Sequence, residues 1–118
     1  MGRLTTHVLD TVSGRPAQDV TIDLLVLDPD GGWRHLKQVT TNADGRTDQP
    51  LLAGAELQIA TYMLTFDIGR YFKASGVVVA DPPFLDFVPL RFSVADPDGH
   101  YHVPLLASPW SYSTYRGS

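Results

Sequence analysis

The stretch VTIDLLVLDPDGGWRHLKQVTT, Val20 to Thr41, decides the fold class. Val20, Ile22, Leu24 and Val26 are apolar at every second position, so an extended chain projects them to one face. Asp28-Pro29-Asp30-Gly31 then turns the chain back, with Asp and Gly supplying the turn chemistry. Trp33 to Thr41 is a second β-rich run, and the whole stretch reads as two strands joined by a turn.

The same punctuation recurs in both directions, roughly every ten to fifteen residues, which is the signature of an all-β sandwich or barrel. Toward the N-terminus, Leu4 to Leu9 is a strand ended by the SGRPA turn. Toward the C-terminus, Asn42-Ala43-Asp44-Gly45 is a tight turn in which Gly45 suits a left-handed conformation. Further strands are expected over Arg46 to Leu52, Leu57 to Phe66, Phe87 to Val94, Tyr101 to Ala107 and Ser111 to Arg116. Ile68 to Ser75 is the one short helix, closed by Gly76. The chain of 118 residues is sized for one domain, 1–118.

Composition narrows the function. A formal net charge of −4 speaks against a nucleic-acid groove, which needs clustered Lys and Arg, and against a polybasic membrane patch. With no cysteine there is no disulfide, thiolate nucleophile or Cys-based zinc site. Without the charged-then-apolar run of a signal peptide, a cytoplasmic location in a bacterium is expected.

The residues able to carry chemistry are few. His100 and His102 lie two apart on a strand and share a face, where two imidazoles can bind a metal, share a proton or sit at a wet edge. His7 is mid-strand, as a sheet-surface group or a site residue. Arg46 directly follows the Asp-Gly turn, as a solvated charge or as an anion clamp with a planar fork of donors. His35, in the charged run WRHLK, reads as structural or solvated. The tail YSTYRGS, Tyr112 to Ser118, is aromatic for a terminal strand. Such a strand needs covering, so a subunit interface is expected nearby. No G-x-S-x-G elbow, phosphate-binding glycine loop or H-E-x-x-H motif occurs.

LTTHVLDTVSGRPA, TNADGRT, YMLTFDIGRYF and HYHVPLLASPWSYSTYRGS follow one another along nearly the whole chain. Together they resemble the 5-hydroxyisourate hydrolases, the enzyme branch of the transthyretin family. The resemblance implies a transthyretin/prealbumin-like two-sheet sandwich of about eight strands with one short helix. It implies His7, Arg46 and His102 as catalytic groups. Tyr115, Arg116, Gly117, Ser118 and, less directly, His100 would bind substrate. It implies a homotetramer, a dimer of dimers, with the site in a cleft where the dimers meet. The substrate would be 5-hydroxyisourate, with no cofactor and no metal. Three other readings compete. A non-catalytic carrier would want an apolar channel. A structural module would have no use for a defined tail. A metal hydrolase would use His7, His100 and His102 as three ligands with an open position.

Overall fold

A computed structural model describes residues 1–117, which form eleven strands and one α-helix. In chain order the strands are β1 (Arg3–Thr5), β2 (Val8–Asp10), β3 (Arg15–Pro16), β4 (Thr21–Leu27), β5 (Trp33–Thr40) and β6 (Leu52–Ala53). They continue with β7 (Ala60–Asp67), β8 (Phe87–Val94), β9 (His100–His102), β10 (Leu105–Ala107) and β11 (Tyr112–Thr114). Helix α1 (Ile68–Ala74) connects β7 to β8.

The hairpin read from Val20 to Thr41 is β4 and β5, in an antiparallel sheet ordered β5-β4-β7-β8. Its inner face is built of lateral rows. Ile22 pairs with Phe66 and Phe66 with Val88; Leu24 pairs with Leu64 and Leu64 with Leu90. All six are buried in the single core. A register shift opposite Leu24 and Leu25 puts a bulge in the edge strand β5, a common way to make an open edge a poor template for pairing.

The opposing layer comes from the two ends of the chain. β1 pairs in parallel with β9 and β2 in parallel with β10. β6 and β11 flank them, giving sheets ordered β6-β1-β9 and β11-β10-β2-β3. Leu4, Val8, Leu105 and Ala107 enter the core from this side. The all-β sandwich with one short helix holds, but with three hydrogen-bonded sheets in place of two.

The difference has a local cause. The expected strands Leu4–Leu9 and Tyr101–Ala107 are each broken, the first at Thr6-His7 and the second at Val103-Pro104. Pro104 has no N–H to give a ladder and restricts the residue before it. The gap is spanned by single bonds, Val103 N–H to Thr5 C=O at 2.9 Å and Leu105 N–H to His7 C=O at 2.9 Å. The strand expected over Arg46–Leu52 reduces to Leu52–Ala53, because Arg46 to Gln49 belong to a loop. The last strand ends at Thr114, not Arg116, and the long central strand starts at Ala60, not Leu57.

α1 is capped by Asp67, whose carboxylate accepts from Arg70 N–H, and is left through Gly76 at φ +84°. It is tied to the opposing layer by Tyr71, whose hydroxyl donates to the buried Asp10 carboxylate at 2.8 Å. That carboxylate also accepts from Val12 and Ser13 N–H, so its burial is compensated. Burial and the Asp10 bond push the Tyr71 hydroxyl up to about 12.

Leu64 is fully buried at the centre of a lateral row. Leu64→Ala is expected to lower unfolding free energy by about 2–5 kcal/mol through lost burial and a residual cavity, read from urea denaturation.

Candidate active site

The site begins at the break between β1 and β2. The Asn42 side-chain oxygen accepts from Asp44 N–H at 2.9 Å and Arg46 N–H at 3.2 Å, which curls the loop on itself. Gly45 completes the curl at φ +73°, and a Cβ there would collide with the Val8 carbonyl oxygen. Only glycine meets both demands. The Gly45 carbonyl in turn accepts the Val8 N–H at 2.8 Å. The loop therefore plugs the break and brings Arg46 beside His7.

His7 is half-buried, with Nε2 2.8 Å from the Asp44 carbonyl oxygen. A carbonyl only accepts, so Nε2 carries the proton and Nδ1 is the other ring position. His102 stands one strand away. The parallel register sets Thr5 against His102, and Thr5 Oγ1 lies 2.8 Å from His102 Nδ1. The tail returns to the same place: Gly117 N–H donates to the His102 carbonyl at 2.7 Å. A Cβ on Gly117 would sit 2.7 Å from His102 Cδ2, so glycine is what lets the tail lie against the imidazole.

Arg46, His100, His102, Tyr115 and Gly117 line one cavity of about 600 Å³, together with Arg3, Thr5, Thr6, Thr47, Asp48, Gln49 and Pro50. His7 is not among these lining residues, but the Arg46 charge acts on it and it acts on His102. Arg116 is placed elsewhere: its guanidinium covers the Tyr101 ring at 4.1 Å, and Nη2 donates to the His100 carbonyl at 3.2 Å. It braces the tail instead of lining the cavity. Ser118 lies outside the described residues. Among the described residues no three His, Cys, Asp or Glu side chains are grouped to hold a metal ion.

Both imidazoles are held below their ordinary proton affinity, first by burial and then by the Arg46 charge. For His7 the Asp44 carbonyl bond and carboxylate pull the other way without cancelling this. For His102 the neighbouring His7 adds to the lowering. The arrangement can therefore keep a neutral imidazole beside a fixed guanidinium at neutral pH, a base next to an anion clamp. Sequence reasoning missed Arg3, Thr5 and Asp48 as wall residues. Thr5 stands two residues before His7, but its partner His102 is 97 positions away, so no local signal marks it.

A sequence profile of the HIUase/Transthyretin family matches residues 4–117. The chain belongs to the HIUase/Transthyretin family. Within it, the chain is 59% identical over 99% of its length to 5-hydroxyisourate hydrolase 2 of Rhizobium meliloti (strain 1021), covering 97% of that protein. It is 57% identical to 5-hydroxyisourate hydrolase of Ralstonia nicotianae (strain ATCC BAA-1114 / GMI1000), covering all of both chains. Among solved structures it superposes on (S)-allantoin synthase at TM-score 0.94 and 49% identity, with 99% of this chain covering 44% of that one. It superposes on sea bream transthyretin in complex with thyroxine at TM-score 0.86 and 31% identity, covering 98% and 94% of the two chains.

The electrostatics of this family member can be read directly. NMR titration is expected to give midpoints for His7 and His102 below the ordinary imidazole value of about 6.5. Arg46→Gln is expected to move both upward, since it removes a shared lowering charge. Because folding disfavours protonation of both groups, their contribution to stability is full above about 6.5 and is lost as pH falls through the lowered folded values.

Proposed function

We propose that this chain hydrolyses 5-hydroxyisourate, the activity named for the two bacterial relatives that match it end to end. The observation that carries the residue-level reading is the convergence of His102, Arg46 and the tail at Gly117 on one polar cavity. The substrate is a small, flat, polar heterocycle with several carbonyls, and it calls for donors, a cation and a base. The cavity offers these, whereas an apolar ligand of the kind a carrier holds would leave the guanidinium and imidazoles desolvated and unpaired.

His102 is the general base in this reading, since it is among the residues lining the cavity and His7 is not. His102 takes a proton from water as the water oxygen bonds to a ring amide carbonyl carbon. Arg46 stabilises the negative charge that develops on the carbonyl oxygen. The amide C–N bond then breaks, and the imidazolium returns its proton to the departing ring nitrogen. One water is consumed, and the six-membered ring opens to a ureido-imidazoline carboxylate. His7 carries its proton on Nε2 and backs the pair electrostatically.

The homotetramer belongs to the same proposal. β8 and β11 are edge strands, and Phe84, Phe87, Trp110, Tyr112 and Tyr115 are exposed on or near them. Exposed aromatics beside unpaired edges are costly unless covered. Light scattering coupled to size exclusion is expected to give about four times the 13.0 kDa chain mass, and a persistent monomer would remove this part.

The activity is tested by generating 5-hydroxyisourate in situ from urate and urate oxidase and following the loss of its ultraviolet absorbance against spontaneous decay. His102→Ala, Arg46→Ala and His7→Ala are each expected to lower kcat/KM by roughly a hundredfold or more, the usual worth of a base or an oxyanion donor. Unchanged turnover in a variant removes its residue from the mechanism. Loss of activity in excess chelator would favour the metal-dependent reading instead.

A further inference from the structure

We infer that Thr5 is a positioning residue: its hydroxyl oxygen accepts the His102 Nδ1 proton and holds the ring in the tautomer whose Nε2 is basic and turned to the cavity. This rests on the reading of His102 as the base.

The placement starts from the backbone. Thr5 and His102 are register partners in the parallel β1-β9 pair, so their side chains stand side by side on one face. The pair is locked by Val103 N–H on the Thr5 carbonyl at 2.9 Å. Thr5 is half-buried, and its branched Cβ limits the hydroxyl to few rotamers. Oγ1 lies 2.8 Å from Nδ1. On the other edge of the ring, Gly117 packs against Cδ2. With Nδ1 on Thr5 and Cδ2 on Gly117, Nε2 is the ring nitrogen left for the cavity, which His102 lines.

A hydroxyl can donate or accept, and the two choices have opposite consequences. If Thr5 donated, Nδ1 would be the lone-pair nitrogen, Nε2 would carry the proton, and His102 could take none from water in the cavity. If Thr5 accepts, Nε2 is the lone pair. After Nε2 gains a proton both nitrogens carry hydrogen, and Nδ1–H then needs an acceptor. Thr5 already serves as one, so no group reorients as charge appears on the ring, which is the economy of a preorganised site. The hydroxyl's own hydrogen is then free to point into the cavity, whose wall Thr5 also forms.

The experiment combines nitrogen NMR of His102 with steady-state kinetics of Thr5→Val and Thr5→Ser. In the wild type, neutral His102 is expected to show a protonated Nδ1 and an unprotonated Nε2. Thr5→Val keeps the shape and removes the acceptor. It is expected to lower kcat about tenfold to hundredfold, by analogy with orienting partners of metal-bound imidazoles, with KM changed less than about threefold. The Nδ1–H tautomer fraction is expected to fall with it. Thr5→Ser keeps the hydroxyl and is expected to recover most of kcat and the wild-type tautomer. A wild-type ring protonated on Nε2, or a Thr5→Val enzyme with unchanged kcat and tautomer, overturns the inference. The wild-type spectrum decides the tautomer even if Thr5→Val does not fold. His102→Ala separates the two levels. Full activity there sinks the base assignment itself, whereas loss there with a normal Thr5→Val sinks only the role of Thr5.

Discussion

The parallel pairing of the first ten residues with the region just before the tail is the contact on which the rest depends. Parallel neighbours cannot be joined by a tight turn and need a long crossover. Here the crossover is most of the chain, since Thr5 and His102 are 97 positions apart. The pairing closes the second layer, sends Leu4, Val8, Leu105 and Ala107 into the core, and sets Thr5 directly beside His102. Core and site are therefore not separate achievements. The same register that buries the apolar residues at alternate positions aims the polar ones at the cavity.

The paired breaks in that layer lie where the site is built. At Thr6-His7 the ladder lacks a regular partner, and the Asn42–Arg46 loop supplies one through the Gly45 carbonyl on Val8 N–H. Satisfying one backbone donor thus delivers a guanidinium to two imidazoles. Burial first, and then the charge of Arg46, makes the cluster uncomfortable for cationic histidine and drives both rings toward the neutral form. In the proposed reaction the base must be neutral before it acts, so the discomfort would serve it. The tail completes the enclosure from the far side, with Arg116 stacked on Tyr101 and Gly117 bonded to the His102 backbone.

Much of this was legible from residues alone. The alternation in Val20–Val26, the DPDG and NADG turns and the short helix closed by Gly76 all stand where the pattern put them, within a residue or two. So did the shared face of His100 and His102. Strand lengths were less legible. Arg46 to Leu52 reads as a strand because it follows a tight turn, but Asp48 and Pro50 suit a loop, its residues form part of the cavity wall, and only Leu52–Ala53 finds a partner strand. Leu4–Leu9 reads as one strand because nothing within it signals a break; the break is set by Pro104 and the loop at Gly45, which lie far along the chain. The family resemblance implies Arg116 as a substrate ligand, and in the structure its guanidinium lies over the Tyr101 ring.

What the sequence by itself determined is what near neighbours determine: extended backbone from apolar alternation, turns from Asp, Asn and Gly, a helix end from glycine, and the inventory of imidazoles and guanidinium groups. Only the tertiary structure decided which of those groups meet, which nitrogen of each ring has a hydrogen-bond partner, and that Thr5 and Gly117 frame His102. The physical reason is range. Steric and turn preferences act over a few bonds and can be read in order along the chain. A hydrogen bond across 97 positions depends on a register set by the packing of the whole core, and no local pattern carries it.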